Sequence, residues 1–235
     1  MSLSKILLLS GAAAFVSTAA LAGGHAPLRA SDVTGFHGVK APVQTPAVNP
    51  KAPKCGTGFG PELPTPDGLI AWNDTSGSGY NTAGGADFTC ASKTKVKAVW
   101  VLGYNAPANP EQYNVTFYKN DGAGGSDEPN DKSVVCSYTG VPGAGGGSYP
   151  THVLTKLKLP TACKLKAGHY WVAVQDNDSA GPWYWEMTSQ LGGTTQADWD
   201  DQNNIFGSGC TTFDNNEYLQ QCLGYTYPDY MLELH

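Results

Sequence analysis

The chain has 235 residues, with 29 glycines, 16 prolines, 6 cysteines and a formal net charge of −6. That length holds one domain of ordinary size plus extensions. The acidic balance, with Arg29 as the only arginine, leaves no bidentate fork for phosphate and argues against nucleic acid as a partner.

The first 22 residues read as a secretory signal. Lys5 supplies the positive start, Ile6 to Val16 the apolar run, and Ala20-Leu21-Ala22 a small-residue cleavage site. The apolar run is too short to span a bilayer, and no later segment is long enough, so no membrane insertion is expected once the signal is removed. Residues 23–54 are rich in Pro, Ala, Val and Lys without periodicity and read as an extended flexible segment, with His25 and His37 as solvated tail residues. Residues 55–235 form the expected folded domain.

Within it, short runs of β-branched and aromatic residues alternate with Gly, Pro, Asn and Asp, the pattern of an all-β fold. Gly68 to Trp72 and Ala86 to Cys90 are short strands. Lys93 to Tyr104 alternates, with Val96, Ala98, Trp100 and Leu102 expected on one face. Lys93, Lys95, Lys97, Val99 and Val101 fall on the other, and the lysines read as a solvated face that discourages edge pairing. Gln112 to Lys119 is a half-buried strand ending in the turn Asn120-Asp121-Gly122. The following loop carries Asp121, Asp127, Glu128 and Asp131, but their spacing is not that of an EF-hand, so no metal site is assigned. Ser133 to Tyr138 and Thr151 to Leu159 are further strands.

Gly168 to Glu186, GHYWVAVQDNDSAGPWYWE, reads as two strands joined by a polar turn, and as the centre of the sheet core. Tyr170, Val172 and Val174 share one face of the first strand, which leaves Trp171 on the other. In the second strand Trp183 and Trp185 alternate with Tyr184 and Glu186. The chain closes with Asp229 to Leu234, a strand expected to pair back near the start of the domain. About nine strands and no helix predict an antiparallel β-sandwich with jelly-roll-like connections. Six cysteines in an exported chain predict disulfides. Fifteen pairings are possible, and partners adjacent in sequence are favoured: Cys55–Cys90, Cys136–Cys163 and Cys210–Cys222.

NVTFYKNDG (Asn114 to Gly122), SVVCSYTG (Ser133 to Gly140), LKAGHYWVAVQ (Leu165 to Gln175), WYWE (Trp183 to Glu186) and GSGCTT (Gly207 to Thr212) occur in a fixed order. As an ordered set over residues 68–235 they resemble an uncharacterised β-sandwich domain of exported bacterial proteins. The resemblance implies export and fold, and no activity or catalytic residues. Against its pattern, Cys55, Cys90, Cys136 and Cys163 look like additions.

Three functional readings follow. The first is a non-catalytic binding or surface-interaction module for a carbohydrate or a surface protein, with Trp171, Tyr184 and Glu186 as the ligand-binding face, since sugars stack on aromatic rings. The second is a secreted hydrolase of glycosidase type using Glu186 with Asp176 or Asp178. No G-x-S-x-G or H-E-x-x-H motif supports other hydrolytic chemistry. The third is a structural component of an envelope or matrix. No cofactor is expected, and the location is secreted or periplasmic.

Overall fold

The computed structural model describes residues 52–60, 68–105, 112–120, 127–145, 152–179, 181–190, 193, 195–213, 222–223 and 229–235. The expected signal segment, nearly all of the expected extended segment and Asp121 lie outside the described residues.

Eleven strands follow in order: β1 (Gly68–Ile70), β2 (Thr82–Cys90), β3 (Thr94–Asn105), β4 (Gln112–Asn120), β5 (Pro129–Ala144), β6 (His152–Leu165), β7 (Gly168–Asp176), β8 (Trp183–Thr188), β9 (Asp198–Asp201), β10 (Asp229–Tyr230) and β11 (Leu232–Leu234). Every strand pairing is antiparallel. Instead of two separate sheets, one hydrogen-bonded path runs β1-β8-β3-β6-β5-β4-β7-β2-β9, with β10 added to β8 and β11 to β3. The long strand β5 joins the two halves. Most of it pairs with β4, while Gly143 and Ala144 cross to Leu157 and Lys156 of β6. The sheet therefore curls, and its ends meet across one core. Tyr113 of β4 meets Trp183 of β8 edge to face at 5.4 Å. Trp185 stacks on Tyr230 at 4.5 Å. Gly84 of β2 lies so close to both rings that a Cβ there would strike them.

The stretch expected to be a central hairpin is not one. β7 pairs with β2 and β4, whereas β8 pairs with β1, β3 and β10. The linker after Asp176 crosses between the halves instead of turning within one. It is tied to the segment after β1: the Asp176 carbonyl accepts from the Asn73 amide, and the Asp178 carbonyl accepts from the Trp72 indole.

The face assignment of β3 also changes part-way. Val96 is fully buried as expected, but from there Val99 and Val101 enter the core and Trp100 is only half-buried. A bulge is the cause. The register jumps between Val96 and Ala98, and the amides of Lys97 and Ala98 both donate to the carbonyl of His235. The extra residue turns Val99 and Val101 to the core side in place of Trp100.

The cysteines pair as expected from sequence proximity: Cys55–Cys90, Cys136–Cys163 and Cys210–Cys222. The last strand also behaves as expected. β11 pairs with β3, and the Leu234 carbonyl accepts from the Lys54 amide.

Candidate functional site

The residues chosen from sequence are sealed. Trp171, Tyr184 and Glu186 are at most 1 % exposed. Trp171 does lie on the face of β7 opposite Val172. There its indole N–H donates to Asn120 Oδ1 at 2.9 Å and its ring stacks on His169. That face is covered as well: Phe213 packs with Ala83 and Ala173 there, with Tyr118 beside them. Because β7 and β8 lie in different halves, Trp171 shares no surface with Tyr184 and Glu186. The three do not make a ligand platform.

The carboxylate pair fares no better. Glu186 and Asp176 are both fully buried. Glu186 of β8 sits opposite Gly68, and Asp176 at the end of β7 sits opposite Trp72, so the two lie on different strands in different halves. Asp178 is half-buried in the linker, and its backbone carbonyl accepts from the Trp72 indole. Glycosidase carboxylates must instead flank an open cleft at about 5–10 Å.

Asp176 has the most unusual chemistry. Among the described residues neither of its carboxyl oxygens has a hydrogen-bond partner of good geometry. Burial, then the charge of Asp178, pushes its pKa up to about 9, and the nearby amides of Asp178 and Asn177 offset this only in part. Nearby Asp74 behaves oppositely. Burial alone would raise it, but the hydroxyls and amides of Ser78 and Ser76 donate to its carboxylate and bring it down to about 2. Asp200 is raised well above the ordinary range, chiefly by burial. His169 is clamped between Asp87, at 2.7 Å from Nε2, and Asp127, at 3.9 Å from Nδ1. Among the described residues no group of three or more His, Cys, Asp or Glu side chains is arranged to hold a metal ion.

The accessible chemistry lies on the other half. Ten lysines follow residue 53, and eight of them sit on or beside β3 and β6: Lys54, Lys93, Lys95, Lys97, Lys156, Lys158, Lys164 and Lys166. Neither strand contains an acid. The buried acids Asp87, Asp198, Asp200 and Asp201 belong to β2 and β9 at the far end of the strand order. The chain is acidic in sum, yet eight of the ten lysines after residue 53 gather around two neighbouring strands.

That face holds an open groove of about 620 Å³. One wall is Lys95, Lys97, Thr161, Ala162 and Lys164, and the other is Val135 to Tyr138 of β5. The sequence explains its position. Pro160 has no N–H to donate to a ladder, and β6 leaves β3 between Lys158 and Cys163, opposite the bulged Lys97. The Cys136–Cys163 disulfide then ties β5 to β6 beside the gap.

Neither a family model nor a curated protein nor a solved structure matches this chain.

The lysines are visible in the sequence, but their alternation reads more naturally as a solvated strand face than as a basic patch. Only the bulge, the arch at Pro160 and the approach of β5 turn them into one wall of a groove. Tyr138 carried no signal of its own.

Proposed function

We propose that this chain is an exported, disulfide-stapled, non-catalytic interaction module that works through the surface of β3 and β6. The observation that carries this reading is the contrast in access. The candidate catalytic carboxylates Glu186 and Asp176 are sealed in the core, while an open groove of about 620 Å³ lies on a lysine-bearing face. The signal-like N-terminus and three disulfides support export. A stapled antiparallel sheet suits a module that must hold a fixed surface outside the cell.

The test is incubation of the secreted protein with a panel of polysaccharides, with retention on each polymer and release of reducing ends read in parallel. The expected result is retention without bond cleavage, unchanged in Glu186→Gln if circular dichroism shows that variant folded. Release of reducing ends that disappears in Glu186→Gln would replace this reading with the hydrolase.

A further inference from the structure

We infer that the groove between β5 and the arched part of β6 is a binding site for an acidic polysaccharide. Lys95, Lys97 and Lys164 hold its carboxylate or sulfate groups, and the Tyr138 ring carries a sugar face. The inference rests on the interaction-module reading and adds the site and the ligand class.

Three observations carry it. First, Lys95 and Lys164 are direct cross-strand partners, and like charges in that position destabilise a sheet. Among the described residues, no carboxylate lies within ion-pair distance of Lys95, Lys97 or Lys164. An arrangement that costs stability and is not neutralised within the fold is one that an anion would relieve. Second, the groove is held open before any ligand arrives. The Cys136–Cys163 bond fixes its width, and the bulge at Lys97 aims an extra cation at it. Such preorganisation lowers the ordering cost of binding. Third, the positive strip runs past both ends of the groove, with Lys93 on one side and Lys158 on the other, both exposed. A strip suits a polymer with repeated charges better than a single small anion.

The residue types select the class. Lysines are point charges without arginine's planar fork, so they suit spaced carboxylates on a flexible chain more than bidentate phosphate contacts. Single-stranded nucleic acid would call for several stacking platforms, and the groove offers one ring. A lipid surface would call for an apolar wedge. Among the described residues Val134 and Ile205 are the only exposed large hydrophobics, and neither lines the groove.

The experiment is titration of the full disulfide-bonded chain with polygalacturonate, neutral dextran and oligo(dT). It is run at about 50 and 500 mM salt with wild type, Lys95→Gln, Lys164→Gln, Tyr138→Ala and the triple Lys95→Gln/Lys97→Gln/Lys164→Gln. Polygalacturonate binding is expected, weakening at least tenfold at high salt because exposed charges are screened. Each single lysine loss weakens binding about fivefold and the triple variant abolishes it. Melting temperature does not fall in the lysine variants, since repulsion is removed. Tyr138→Ala weakens binding without changing the salt dependence. Salt-insensitive binding to dextran that survives the triple variant overturns the groove assignment and leaves the module reading standing. Preference for oligo(dT) over polygalacturonate overturns the ligand class. Binding to none of the three polymers overturns the inference outright, and reducing-end release lost in Glu186→Gln removes the module reading beneath it.

Discussion

Asp176 and Asp74 move the pH dependence of stability in opposite directions. In Asp176 the unfolded side chain loses its proton near pH 4 and the folded one near 9. Between those values the native state holds one proton more than the unfolded state, so stability falls as pH rises. The slope from this group is at most about 1.4 kcal/mol per pH unit. Asp200, also raised by burial, acts with the same sign. Asp74 is lowered to about 2, so its stabilisation is complete above pH 4 and is lost as pH falls through 2. Taken together, these three carboxyls favour the folded state most near pH 4–5. Urea unfolding at pH 5, 7 and 9 should show wild type losing stability steadily while Asp176→Asn loses clearly less. Equal losses in both would mean that the carboxyl is not held protonated in the core. Asp74→Ala removes the acceptor for the Ser76 and Ser78 amides and should cost about 1 kcal/mol at pH 7 by the same method.

At the level of strands, two glycines are places where the core needs the missing side chain. Tyr230 and Trp185 press on Gly84, and Trp183 presses on Gly103. Gly84→Ala should therefore destabilise by about 1–3 kcal/mol through overpacking. Gly58, whose Cβ position is open, is the control, and Gly58→Ala should stay within about 0.5 kcal/mol. Equal effects in thermal melts would argue against the tight face-to-face packing of the sheet ends. The strands themselves were legible. Tyr113, Val115 and Phe117 alternate inward as their sequence predicts, because a half-buried strand writes its faces with period two. What sequence could not show was partnership. Nothing in Asp176 to Gly181 distinguishes a turn within a sheet from a crossing between its halves, since Asp, Asn, Ser and Gly serve both. The bulge at Lys97 is equally silent, because it depends on a carbonyl at His235, far along the chain. That one residue decided whether Val99 or Trp100 is core. The sealed state of Trp171 was out of reach for a related reason: Phe213, which packs on the same face of β7, arrives from a distant segment.

For the molecule as a whole, covalent ties and charge layout matter most. The three disulfides close loops of 35, 27 and 12 residues by sequence separation. By loop-closure entropy each is worth about 3–4 kcal/mol. Thiol titration of the unreduced, denatured protein should find no free thiol, and two or more would break the pairing described here. Reduction should lower the melting temperature markedly. The charge layout is the stronger clue to function. The chain is net negative yet gathers eight of its last ten lysines around two neighbouring strands, which supports the proposed anion-directed face. The aromatic residues that look most like a binding surface in the sequence instead hold the core together.

The most direct measurement is hydrogen exchange of the full disulfide-bonded chain with and without polygalacturonate. Added protection is expected at residues 95–97, 135–138 and 161–164 and none at 171 or 183–186. Protection centred on 171–186, with the lysine strands unchanged, would contradict it and return the site to the aromatic segments.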